Sequence, residues 1–140
     1  MSRALLTVCF FFIWDSAIAA PSCPSKFSQF LNLFGTDRAF QELHIRYPLR
    51  YISKEGNECY PDCPIVEHKL SHQKVRALAE PIFPLRATQL AVPVDVKVKI
   101  TRNSAAVRMD KLESDAYSFE YRFTRNKSCW LLVSAHDLSL

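Results

Sequence analysis

Residues 92–139 constrain the fold more than any other part of the chain. Val92, Val94, Val96, Val98 and Ile100 share one parity in VPVDVKVKIT, and Tyr117, Phe119, Tyr121 and Phe123 share one in AYSFEYRFTR. In AAVRMDKL, Val107, Met109 and Lys111 oppose Ala106, Arg108 and Asp110. A period of two marks a strand with one buried face, because successive side chains leave a strand on opposite sides. Asn103-Ser104, Ser114-Asp115 and Asn126-Lys127-Ser128 supply turns between these runs, and CWLLVSAHDLSL ends the series. The spacing predicts a meander of consecutive antiparallel strands.

The first half has a different period. Phe27, Phe30, Leu31 and Phe34 stand at i, i+3, i+4 and i+7, the apolar face of an amphipathic helix. Ser25 is placed to cap its start and Gly35 to end it; Thr36 or Asp37 then caps a shorter helix carrying Phe40 and Leu43. HIRYPLRY alternates again and predicts a strand over 44–51. Pro48 cannot donate to a ladder, so that strand is expected at an edge or with a bulge. A polar loop follows at 53–64, then a short strand at 65–70. A helix is expected over 71–80, with Val75, Leu78 and Ala79 on one face and Pro81 and Pro84 beyond it. Helices first, then consecutive strands, define an α+β class: N-terminal helices packed on one face of a curved antiparallel sheet.

Residues 1–19 read as a secretory signal peptide. Arg3 precedes the unbroken apolar run Ala4–Trp14, and Ala17-Ile18-Ala19 is a small-x-small cleavage site. The run falls short of the ~20 residues of a membrane span. Residues 20–140 then form a single α+β domain, expected in the periplasm or secreted, with no membrane span after cleavage. Of the five cysteines, Cys9 leaves with the leader. The even set Cys23, Cys59, Cys63 and Cys129 predicts two disulfides in an oxidising compartment. Three pairings exist; Cys59–Cys63 as a local staple with Cys23–Cys129 closing a long loop is preferred, because long loops constrain the unfolded chain most. Cys59, Cys63, His68 and His72 carry zinc-ligand types, but the middle gap is shorter than a finger requires and the thiols would have to stay reduced. No metal and no cofactor are expected. The formal charge of +4 arises from basic and acidic residues interleaved along the chain, which implies no nucleic-acid partner.

Candidate ligand- or partner-binding residues fall in two places. His44, Arg46 and Arg50 share one parity and would form a basic stripe able to meet an anion. His136 and Asp137 are neighbours on the last strand, so they point to opposite faces and cannot act as a direct dyad. Asp137 is expected to pair with Arg46 or cap a loop. Asn126-Lys127-Ser128 has the form of a glycosylation acceptor, a match common by chance. No catalytic residue is assigned.

Two stretches together resemble a known group. F-x-x-F-x-x-x-F-x-x-D-x-x-F-Q runs through Phe27, Phe30, Phe34, Asp37, Phe40 and Gln41, followed by H-I-R-Y-P-L at 44–49; C-W-L-L-V-S-A-H-D-L-S closes the chain at 129–139. They resemble a family of exported bacterial domains of unknown function with the cystatin-like cone of the nuclear-transport-factor-2 superfamily. That family usually has arginine where His44 stands. The resemblance implies a fold and a compartment rather than a reaction, and a homodimer through an apolar open sheet face. Three functions fit. The preferred one is an exported, non-enzymatic binding or interaction domain for an unknown protein or small ligand. The alternatives are a periplasmic immunity or inhibitor protein blocking a toxin or hydrolase, and an isomerase- or dehydratase-like enzyme using the cone pocket.

Overall fold

The computed structural model describes residues 23–55, 63–112, 117–127 and 129–139. The proposed leader, Cys59 and the Ser114-Asp115 turn lie outside the described residues. Two helices come first, α1 (Phe27–Phe34) and α2 (Arg38–Leu43), then strands β1 (Ile45–Lys54) and β2 (Ile65–Leu70). Two short helices follow, α3 (His72–Arg76) and α4 (Arg86–Ala91). The meander β3 (Val94–Ile100), β4 (Ser104–Lys111), β5 (Ser118–Asn126) and β6 (Cys129–Asp137) completes the chain. Six strands form one curved, unclosed sheet in the order β2-β1-β6-β5-β4-β3.

The helix stripe folds as its spacing requires. Phe27, Phe30 and Phe34 are buried against the concave face of the sheet. Their rings meet Phe123 edge-on with centroids 5.4, 5.9 and 5.3 Å away, and Phe27 also meets Trp130 at 4.9 Å. Each buried ring contributes about 2–3 kcal/mol through removal from water. Ser25 does not cap α1; Lys26 holds the N-cap position without a side-chain bond. Asp37 caps α2, accepting from the backbone N–H groups of Ala39 and Phe40.

Gln41 is a buried amide that binds three segments together. Its Nε2 donates to the Phe34 carbonyl at 2.7 Å and to the Phe83 carbonyl at 2.8 Å, joining α1, α2 and the segment that crosses the concave face. The same segment is anchored a second time, where the Arg86 N–H donates to Gly35 O at 2.6 Å.

The sheet is mixed rather than antiparallel throughout. β6 runs parallel to β1 and antiparallel to β5. Alternation reveals strands but not their directions, and here the end of the meander returns beside the first strand. β1 is also not an edge strand. Pro48 is accommodated by irregularity: the β2 ladder begins at Leu49, and the β6 register breaks between Ile45 and Arg50. The helix expected over 71–80 stops at Arg76, and α4 forms where none was expected. Ser71 does cap α3, accepting from Lys74 N.

A disulfide joins Cys23 to Cys129 across 106 residues, tying the entry of α1 to the start of β6. Cys63 is disulfide-bonded as well. Such bonds fit an oxidising compartment. Among the described residues no helix is long and apolar enough to cross a membrane.

Replacing both Cys23 and Cys129 by serine is expected to lower stability by about 3–5 kcal/mol, read as a fall in the urea midpoint, since the loop they close is long. Gln41→Leu keeps the volume but strands two buried carbonyls. It should cost about 2–3 kcal/mol in the same measurement; an unchanged midpoint would show that the amide is not a structural clip.

Candidate functional site

The two faces of the sheet differ in chemistry. On the convex face, cross-strand partners place Glu67, Arg50, His136, Glu120, Arg122, Arg108 and Lys97 side by side across the strands. Arg50 pairs with Glu67 through two bonds, at 3.2 and 2.9 Å, and this holds the exposed Glu67 carboxyl below its ordinary value. The face is therefore charged, not the apolar dimer surface that the cone resemblance implies. An outward parity shared by strands that bury their other face accounts for this.

The concave face forms a trough beneath the chain crossing from Pro81 to Val92. Toward α1 and β3 it opens into a cavity of about 490 Å³ lined by Phe27, Leu31, Phe83, Val96, Val98, Ile100 and Met109. The β3 valines expected in the core lie here instead, 41% exposed at Val96 and 45% at Val98, because nothing packs over this edge strand among the described residues. A middle section of about 200 Å³ is bounded by Pro84, Thr88, Gln89, Val94 and Tyr117. At the other end lies a cavity of about 390 Å³, walled by Tyr51, Leu78, Glu80, Ile82, Tyr117, Phe119 and Tyr121.

That last cavity has the most distinctive chemistry. Tyr51 comes from β1, Tyr121 from β5 and Tyr117 from the residue before β5; the parity of the sheet turns all three inward. Asp137, opposite Phe119 on β6, faces the same way, and it accepts the Ser139 N–H at 3.0 Å. Burial raises the pKa of the Tyr51 phenol, and the Asp137 carboxylate adds to the rise by its charge and as a hydrogen-bond acceptor. Burial pushes Tyr121 far above its ordinary value, with Tyr117, Tyr51 and Asp137 adding to it. Tyr117 is raised by burial, then eased by the bond it accepts from the Tyr121 hydroxyl. Three neutral phenols thus line an apolar cavity with a carboxylate behind them.

The other expected residues do not converge. His44 is the C-cap of α2, its ring stacked on Phe40 at 3.9 Å and its Nδ1 2.8 Å from the Phe40 carbonyl. Arg46 bonds the Thr124 hydroxyl at 3.3 Å, not Asp137. With Arg50 held by Glu67, no basic stripe forms from the three. His136 points to the convex face; burial lowers its pKa, as does the Arg122 charge, and its Nε2 has no hydrogen-bond partner among the described residues. The zinc-type set also disperses: Cys63 is disulfide-bonded, His68 pairs with Glu55 and His72 meets the Tyr47 ring edge-on at 5.0 Å. Donor atoms of Cys23, His44 and Cys129 do lie within 4.8 Å of one another, but both sulfurs are bonded to each other. Nothing in the alternation singles out Tyr51, Tyr117 and Tyr121 as a group. The available signal was tyrosine rather than phenylalanine on inward positions, since a buried hydroxyl needs a partner.

No family model and no curated protein matches the chain. Solved structures do. A nuclear-transport-factor-2-like protein from Bacteroides fragilis aligns with a TM-score of 0.58 at 23% identity, covering 88% of this chain and 50% of that one. This chain therefore spans about half the length of that protein. A de novo designed protein with a curved β-sheet aligns at 0.48 and 8% identity, over 79% of this chain and 91% of its own. A nuclear-transport-factor-2-like protein from Cytophaga hutchinsonii aligns at 0.42 and 10%, over 81% and 92%. The chain has the nuclear-transport-factor-2-like fold, an open cone of helices on a curved sheet. A shared fold carries no reaction with it.

The raised phenols give a testable pH dependence. Their stabilising contribution is present below the ordinary tyrosine value of about 10 and is lost as pH climbs through the higher folded values. Absorbance titration should show Tyr121 ionising only with unfolding. Asp137→Asn should lower the Tyr51 value partway, because burial, the larger cause, remains.

Proposed function

We propose that the protein is an exported, non-enzymatic binding domain that takes a small ligand into the concave cavity walled by Tyr51, Tyr117 and Tyr121. One observation carries this reading: the cavity of about 390 Å³ is apolar apart from a few convergent polar groups, the usual composition and size of a ligand site. Apolar side chains such as Leu78, Ile82 and Phe119 would bury a ligand's body, and the phenols would fix its orientation. Export is supported by the leader pattern and by the Cys23–Cys129 bond.

A second reading, an isomerase- or dehydratase-like enzyme, is favoured by the pairing of the Asp137 carboxylate with the Tyr51 phenol, a base beside a hydrogen-bond donor. It is the weaker of the two, because Asp137 is not in the wall of this cavity and a general base must reach the proton that it removes.

A thermal-shift screen of small amphiphilic compounds tests the binding reading. At least one should raise the melting temperature of the wild-type chain. Leu78→Trp, at the partly exposed rim of the cavity, should abolish that shift while leaving the unliganded melting temperature nearly unchanged. Binding that survives Leu78→Trp would place the site elsewhere. A proton-transfer enzyme would instead show solvent-deuterium exchange into a carbonyl compound that Asp137→Asn removes.

A further inference from the structure

We propose that the Tyr51–Tyr117–Tyr121 cavity selects an organic cation, a quaternary ammonium or protonated tertiary amine on an apolar body. This assignment rests on the cavity-binding reading above and names the class of ligand. Two independent features support it, the aromatic wall and the sign of the charge within it.

The wall is a cluster of electron-rich rings. Tyr117 and Phe119 lie with centroids 4.9 Å apart and tilted by 45°, while Phe119 and Tyr121 are 6.0 Å apart and nearly parallel. Tyr121 is in turn met by Phe83 at 4.7 Å. Aromatic faces carry negative potential and attract a cation within about 6 Å of the centroid, most strongly where water is excluded. A methylated ammonium suits such a wall better than a primary amine, because it is weakly hydrated and needs few hydrogen-bond acceptors.

The charge within the wall has one sign. Among the described residues lining the cavity, the only formally charged side chain is Glu80, and there is no lysine or arginine. Asp137 stands behind the phenols and acts electrostatically on all three. His68, opposite Tyr51 on β2, pairs with Glu55, so that pair adds no net positive charge. This occurs in a chain whose formal charge is +4. Of the cationic groups along the trough, Arg86 borders the far cavity, where it bonds Asn32 at 3.0 Å, and Lys111 borders the middle section beside Tyr117, outside the wall of the tyrosine cavity. An anionic head among the phenols would meet the Glu80 carboxylate and no cationic side chain in the wall itself. A cation with an apolar tail would place its head among the phenols and its tail past Pro84 toward Val94 and Met109.

The test uses three probes of one shape: a phenylpropyl trimethylammonium ion, its neutral isostere with carbon in place of nitrogen, and a phenylalkyl carboxylate. Titration calorimetry on the full disulfide-bonded chain should show the cation binding at least about tenfold tighter than the isostere, with no detectable carboxylate binding. Glu80→Gln, an exposed position that should not disturb folding, should weaken the cation several-fold and narrow its lead over the isostere. Should the isostere bind as tightly as the cation, the charge assignment is overturned while the cavity reading stands. Should none of the three bind, and no compound of the thermal screen either, both fall together.

Discussion

The aromatic ridge of α1 on the sheet decides how the cone is filled. Phe27, Phe30 and Phe34 occupy the concave face over Phe123 and leave the face uncovered beyond that contact. Phe83 continues the ridge, touching Phe34 at 5.4 Å on one side and Tyr121 at 4.7 Å on the other. The packed core and the cavity wall are therefore one chain of rings. Interiors pack at crystal-like density, so a shift of α1 would reach Tyr121 through Phe83. Gln41 secures that relay by fixing the backbone at Phe34 and Phe83 together. The Cys23–Cys129 bond holds the start of the same helix to the strand beneath it.

Charge is distributed to suit this arrangement. The convex face carries interleaved pairs such as Arg50–Glu67, Arg108–Asp110 and Arg122–Glu120. Exposed pairs of this kind contribute little stability each. Their effect is to keep an open sheet face soluble, and they leave the concave face as the apolar surface with shape. On the edge, β3 keeps Lys97 beside Asp95 and Lys99 further along, which discourages strand-to-strand association at an otherwise open ladder.

Much of this was legible in the residues. The α1 stripe, the Asp37 cap and the alternating runs of β4 and β5 follow from periods of 3.6 and 2 in segments long enough to show them. What stayed hidden depended on tertiary context. α4 lacks a side-chain cap and a buried face, and its Leu90 is 78% exposed, so no local signal marks it. The β3 valines look like core in alternation, yet their partners on the concave side are few. Direction was invisible at β1 and β6, where the only parallel ladder among the described residues occurs. Asp137 was recognisable as a candidate; the tyrosines around it were not, because Tyr117 and Tyr121 share an apolar parity with Phe119 and Phe123.

The chemistry of the cavity turns on a single irregularity in β6. Leu132 pairs with Phe123 and Ser134 with Arg122, so Val133 is an extra residue opposite one step of β5. A bulge of this kind reverses the parity of everything after it. Trp130 and Leu132 face the core before the bulge; Ala135 and Asp137 face inward after it. Unbroken alternation would have sent Ser134 and His136 inward and Asp137 to the charged convex face. The concave end would then hold an imidazole that gains charge as pH falls, in place of a carboxylate. With the bulge, a carboxylate stands behind three phenols, and the imidazole sits outside between Glu120 and Arg122, where burial and that arginine hold its pKa down. One inserted residue thus puts a carboxylate rather than an imidazole at the end of the cone where the open cavity lies.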